Sequence, residues 1–180
     1  ALLRLILNSR TYQASVATTE SNAGDTRCFS HQMPRLLAAE QLLDAIGQVT
    51  GMPEQFTGLP AETKATQLPA PDVAKVEFLE IFGQPQRSTV CACERTGDSN
   101  LGMAIAMFNG DLIHQKLGAE TNRFRTGLAA GRSVDGLIDE LYLAAVCRLP
   151  DEAEKAAAVA HVATRETAAE GLEDVCWALL

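Results

Sequence analysis

The sequence predicts an all-α fold, and three observations carry that expectation. Apolar residues recur at the three-and-four spacing of a helix face along most of the chain. Capping residues stand where several of those runs begin, and glycine or proline where they end. No segment shows strand alternation bounded by hairpin turns. The expected architecture is an irregular multi-helix bundle with long Pro-rich and Cys-containing loops, closing on antiparallel helices joined by short turns.

Leu2, Leu3, Leu5, Ile6, Leu7 and Tyr12 predict a first helix over 2–13 with a wide buried face. The polar stretch from Ser15 to Ser30, with Ser21-Asn22-Ala23-Gly24-Asp25 in its middle, reads as a loop. Pro34 suits a first helical turn, and Leu36, Leu37, Leu42, Leu43, Ile46 and Val49 carry a helix to a cap at Gly51. Prolines 53, 60, 69 and 71, with Gly58 among them, exclude a regular helix or interior strand over 52–71. A connection of that length is expected to be functional or pinned to the surface. Asp72 is the expected cap of a short helix containing Val73, Val76, Phe78, Leu79 and Phe82 and ending at Gly83.

Residues 84–100 read as irregular again. A helix over 99–117 collects Leu101, Ile105, Phe108, Leu112 and Leu117 on one connected face, with Gly118 as its stop. Asn109-Gly110-Asp111 interrupts it, and a glycine there costs about 1 kcal/mol against alanine, which points to close packing, the favoured reading, or to a ligand near the backbone. A shorter helix follows over 122–130, closed by Gly131. Ser133 caps a helix that turns Leu137, Ile138, Leu141, Tyr142, Ala145 and Val146 inward and is stopped by Pro150. Asp151 and Glu154 form a capping-box pattern that opens an alanine-rich helix reaching about Thr167, and 168–180 forms the last.

The 180 residues are 47% hydrophobic and 21% charged, an ordered composition sized for a single domain. A formal charge of −8 gives no support to binding nucleic acid or anionic membrane. No apolar run approaches a membrane span and no signal peptide is present. Both ends are apolar and helix-like, which leads us to expect a segment of a longer chain. Acidic excess concentrates late: residues 91–180 hold 8 basic and 14 acidic side chains, read as a solvated outer surface.

Five cysteines, at 28, 91, 93, 147 and 176, allow at most two internal disulfides. Cys147 and Cys176 sit in apolar helical patterns and are expected to be small buried hydrophobes. Cys91-x-Cys93 lies in a polar loop with Arg87, Glu94 and Arg95, the most chemically loaded stretch of the chain. A disulfide, free thiols or a metal are all readings of that pair. Cys28-x-x-His31 with Cys91 and Cys93 matches familiar zinc spacings poorly, so no metal site is assigned. Glu94 and Arg95 can fix the loop by pairing with Arg87 or Asp98. No C-x-x-C-H for covalent haem, nucleophile elbow, zincin motif or phosphate loop occurs. Asp111 and His114 read as a surface pair, so no catalytic residue is assigned.

The strings LNSRTYQAS at 7–15, PRLLAAEQLLDAIGQVTGMPEQF at 34–56, FGQPQR at 82–87, CACER at 91–95, AMFNGDLIHQKL at 106–117, DELYLAAVCRLP at 139–150 and EDVCWALL at 173–180 carry a resemblance. In that order they resemble the planctomycete secreted domain of unknown function that accompanies planctomycete-type cytochrome c domains. The resemblance implies an exported, multidomain setting, periplasmic or extracellular, with any haem in neighbouring domains and none in this segment. It supplies no catalytic residues. Cys91, Cys93, Glu94 and Arg95 fall inside a matching motif, whereas Cys28 and His31 do not. The expected role is an interaction or scaffold module, partnered by sister domains or a cytochrome c domain. The alternative is a module of an enzyme acting on extracellular polysaccharide, using Glu94, Asp98 and Asp111 as acid and base.

Overall fold

The structure is a computed structural model and describes residues 1–85 and 100–180. It is all-α, with no strand among the described residues. The chain divides into two units, Ala1–Leu36 and Leu37–Leu180.

The first unit holds one helix, α1 (Leu2–Leu7). It is shorter than its apolar pattern predicts because the chain turns at Asn8, where the Gln13 side chain donates back to the Leu7 carbonyl at 3.0 Å. None of its residues is buried, which overturns the expected buried face. The following loop is organised by Asp25, whose carboxylate accepts from the Ser30 hydroxyl and from the backbone N–H groups of Arg27, Cys28 and Ser30. Those bonds, led by the Ser30 hydroxyl, hold its carboxyl far below the usual range.

The second unit contains α2 (Ala39–Thr50), a 3-10 turn (Ala65–Gln67), α3 (Glu77–Ile81), α4 (Leu101–Asn109), α5 (Asp111–Gly118), α6 (Arg123–Ala129), α7 (Val134–Val146), α8 (Glu152–Ala163) and α9 (Ala168–Leu179). α2 starts a turn later than Pro34 suggests: Ala38 is extended, the Gln41 side chain accepts from its N–H, and Leu36 and Leu37 stay exposed. Its end is as expected, with Gly51 left-handed at φ 72°.

The Pro-rich connection is pinned, as its length predicts. Asp44 on α2 accepts from the Ala65 N–H at 2.7 Å, the Thr66 N–H at 3.1 Å and the Thr66 hydroxyl at 2.8 Å, which caps the 3-10 turn. Phe56, Ala65 and Leu68 of this connection enter the core. α3 begins at Glu77 with Val76 as its N-cap, so Asp72 caps nothing and Val73 is exposed.

The expected helix over 99–117 is two helices, broken at Gly110. A Cβ on Gly110 would collide with the Ala106 carbonyl, so the close packing inferred there is against its own preceding turn. Asn122, fully buried, joins α5 to α6: its amide donates to the Leu117 carbonyl and its oxygen accepts from the Arg125 N–H. The caps read at Ser133 and at Asp151 with Glu154 are present. α7 ends four residues before Pro150, because Cys147 takes a left-handed φ of 57°. That places Cys147 in solvent, contrary to the burial expected of it, whereas Cys176 is fully buried.

α2 packs against α3, α5, α6 and α7, while α9 packs against α5, α6, α7 and α8. Helices α5, α6 and α7 therefore touch both. Between them lie Leu43, Ile46, Ile113, Leu117, Phe124, Leu137, Ile138, Leu141 and Leu172, each almost wholly removed from water. α7, α8 and α9 fold back on one another through short connections, as read from the sequence.

Candidate interaction surface

α4 reads Leu-Gly-Met-Ala-Ile-Ala-Met-Phe-Asn, apolar around its circumference. A helix of that kind normally lies inside a protein. Asn100 starts it by accepting from the Met103 N–H at 2.9 Å. Only Met103 is buried; Leu101, Ile105 and Phe108, spaced four and three apart on one side, remain 76, 53 and 57% exposed. The connected face read from the sequence is thus divided: its α4 residues point into solvent, while Leu117 on α5 is buried.

The C-terminal turn of α9 continues this face. Val175 and Cys176 face the core, and Trp177 comes out beside Phe108, with ring centroids 5.4 Å apart and planes tilted by 53°. The two rings help line an open cavity of about 350 Å³, together with Met107, Ile113, Ala178 and Leu180. Every lining side chain is mainly apolar, so the cavity offers chiefly dispersion contacts. Sequence reading placed Trp177 inside the EDVCWALL string but gave it no role. Its signal was the aromatic closing an otherwise amphipathic helix.

The polar groups of this unit are mostly spent on structure. Lys116, buried on α5, donates to the Met52 carbonyl at 2.7 Å and pairs with Glu54 at 2.9 Å, tying the start of the Pro-rich connection down. Asp111 and Gln115 share a cavity of about 370 Å³ with that pair. Asp111 is exposed, and among the described residues no hydrogen bond joins it to His114. On the α8–α9 surface, Asp174 meets His161 Nε2 at 2.8 Å and Arg165 Nε at 2.6 Å. The His161 contact, with that of Arg165, outweighs partial burial and lowers the Asp174 carboxyl below its usual range.

Arg87, Cys91, Cys93, Glu94 and Arg95 lie outside the described residues, and so does Asp98. Cys28 and Cys147 are free and exposed, and Cys176 is free and buried. Among the described residues no group of three or more His, Cys, Asp or Glu side chains is placed to hold a metal ion. No helix among them is long and apolar enough to cross a membrane.

Fold and site together define an all-α domain with an open apolar face. The chain belongs to the PSD1 family, proteins of unknown function (DUF1553), whose family model matches residues 1–162. The EDVCWALL string, and with it α9, lies beyond that match. No curated protein and no solved structure matches the chain.

Proposed function

We propose that this chain is a non-catalytic interaction module within an exported, multidomain protein, docking to a sister domain or to a cytochrome c domain. The outward face of α4 carries the reading. Leu101, Ile105 and Phe108 stay in water while the core closes without them. Contiguous exposed apolar surface of this kind marks docking sites, and covering it returns about 25 cal/mol per Å². The exposed leucines of α1 support the same role for the first unit. In this reading haem sits in the neighbouring domains, the location is periplasmic or extracellular, and residues 1–180 act as one module of the larger protein.

Hydrogen–deuterium exchange on this chain, alone and mixed with a cytochrome c domain from the same protein, tests the proposal. Slowed exchange across residues 101–109 is the expected result. Unchanged exchange throughout, or polysaccharide hydrolysis by the purified chain, overturns it.

A further inference from the structure

Among the described residues, the unpaired charge on the helices packed against α4 is acidic. Residues 37–180 carry 11 basic and 21 acidic side chains, a formal −10. α4 itself is uncharged. α3, packed against it, holds Glu77 and Glu80, and α5 opens with exposed Asp111. None of these three has an ion-pair partner among the described residues. The lysine of α5, Lys116, is buried and neutralised by Glu54, and among the described residues Lys75 is the basic side chain that stands just ahead of α3. On α9, Glu173 and Asp174 are already matched by Arg125 and Arg165.

We infer that the α4–α9 face is a docking groove for a basic amphipathic helix. The partner's apolar residues lie along Leu101, Ile105 and Phe108, one of them enters the cavity beside Trp177, and its lysines or arginines reach Glu77, Glu80 and Asp111. This rests on the interaction-module reading and gives the partner a chemistry. A second copy of the chain fits worse, because it brings the same negative charge. The four exposed side chains also present roughly 500 Å², short of the ~800 Å² per partner in a stable dimer.

Trp177 is the single tryptophan of the chain, so its fluorescence reports on the cavity. The 180-residue chain is titrated with a synthetic Leu/Lys amphipathic helix of about 15 residues, and with its Leu/Glu counterpart. Expected are a blue shift of Trp177 and binding of the Leu/Lys peptide at least ~tenfold tighter than that of the Leu/Glu peptide. Salt at about 0.5 M weakens the complex several-fold. Ile105→Glu, at an exposed position, weakens it ~tenfold or more, while Leu143→Glu on the exposed end of α7 leaves it unchanged. Equal affinity for the two peptides, no binding, or binding indifferent to Ile105→Glu overturns the inference. So does sedimentation showing that the face is covered by a second copy. Protection of residues 101–109 by the cytochrome c domain would survive any of those peptide results, so the two failures are separable.

Discussion

Glu140 on α7 holds three helices by one carboxylate. Its Oε1 accepts from Arg123 Nη1 at 2.6 Å, and Arg132 Nη1 stands 2.5 Å from Oε2 as an ion pair rather than an aligned hydrogen bond. Arg123 in turn donates from Nε to the Val49 carbonyl and from Nη2 to the Gln48 carbonyl, closing the exposed end of α2. Partial burial opposes ionisation of Glu140, but the two guanidiniums prevail and lower its carboxyl from the usual 4.5. A carboxylate so lowered contributes stability that is present above pH 4.5 and lost as pH falls through its folded value. Glu140→Gln is therefore expected to cost about 1 kcal/mol at pH 7, kept small because the pair is partly solvated. The gap to the native chain should close as pH falls below 4.5 and through the lowered folded value, where the native carboxylate protonates as well. Urea midpoints of both proteins at several pH values check this, and a pH-independent gap would contradict it. The cysteines separate by the same residue-level logic. Burial pushes the Cys176 thiol up to about 12, so it should resist alkylation at pH 8 until the chain unfolds. Exposed Cys28 and Cys147 should label in the folded chain, and peptide mapping of the label decides between them.

Helix ends and helix faces differ in what a sequence shows of them. The α8 cap is local: Asp151 Oδ1 accepts from the Glu154 N–H at 2.8 Å, and the Glu154 side chain accepts from the Asp151 N–H at 2.9 Å. Four consecutive residues contain the whole device, which is why it is readable, and Asp151→Ala should cost about 1 kcal/mol of stability by denaturant titration. The α8–α9 contact is not local. A Cβ on Gly171 would lie 2.6 Å from the Val162 Cα, so the two helices meet backbone to backbone. Gly171→Ala has to push them apart, with an expected loss of ~1–3 kcal/mol and a fall in Tm of roughly 2–8 °C. An unchanged melting curve would show that the contact is looser than its geometry. The same distinction explains what was misread. Asp44 caps a turn 21 residues away, which no spacing rule reaches. In α4 the periodicity finds the stripe Leu101, Ile105 and Phe108, but a helix apolar on all sides has two such stripes. Met103 is the buried residue, and neighbouring helices decide that. The all-α class, the Gly51 stop and the Ser133 cap were legible because each is written within one turn of chain. The loop singled out at Cys91 and Cys93 lies outside the described residues and tests nothing at this scale.

At the scale of the whole chain, the core and the family match do not coincide. Every buried apolar side chain of the core comes from residue 39 onward, and the first unit contributes none. Thirty-six residues without a buried side chain fall below the size at which a chain stabilises itself without staples, roughly 40. The family match, by contrast, covers the first unit and stops at residue 162, yet α9 places Leu172, Val175 and Cys176 among the core of α5, α6, α7 and α8. Each fully buried aliphatic side chain of that kind is worth about 1.5–3 kcal/mol, against a total stability of about 5–15 kcal/mol for a domain. A chain of residues 37–180 should therefore keep its helical circular dichroism and a cooperative urea transition. A chain of residues 37–162 should lose the cooperative transition, because removing α9 opens the core along Leu137, Ile138 and Leu141 as well as deleting three of its members. Near-ultraviolet circular dichroism and urea titration of the two chains side by side make the comparison. If 37–162 unfolds as cooperatively as 37–180, α9 is an accessory to a core that the family segment closes by itself, and Trp177 sits on an appendage rather than on the rim of that core.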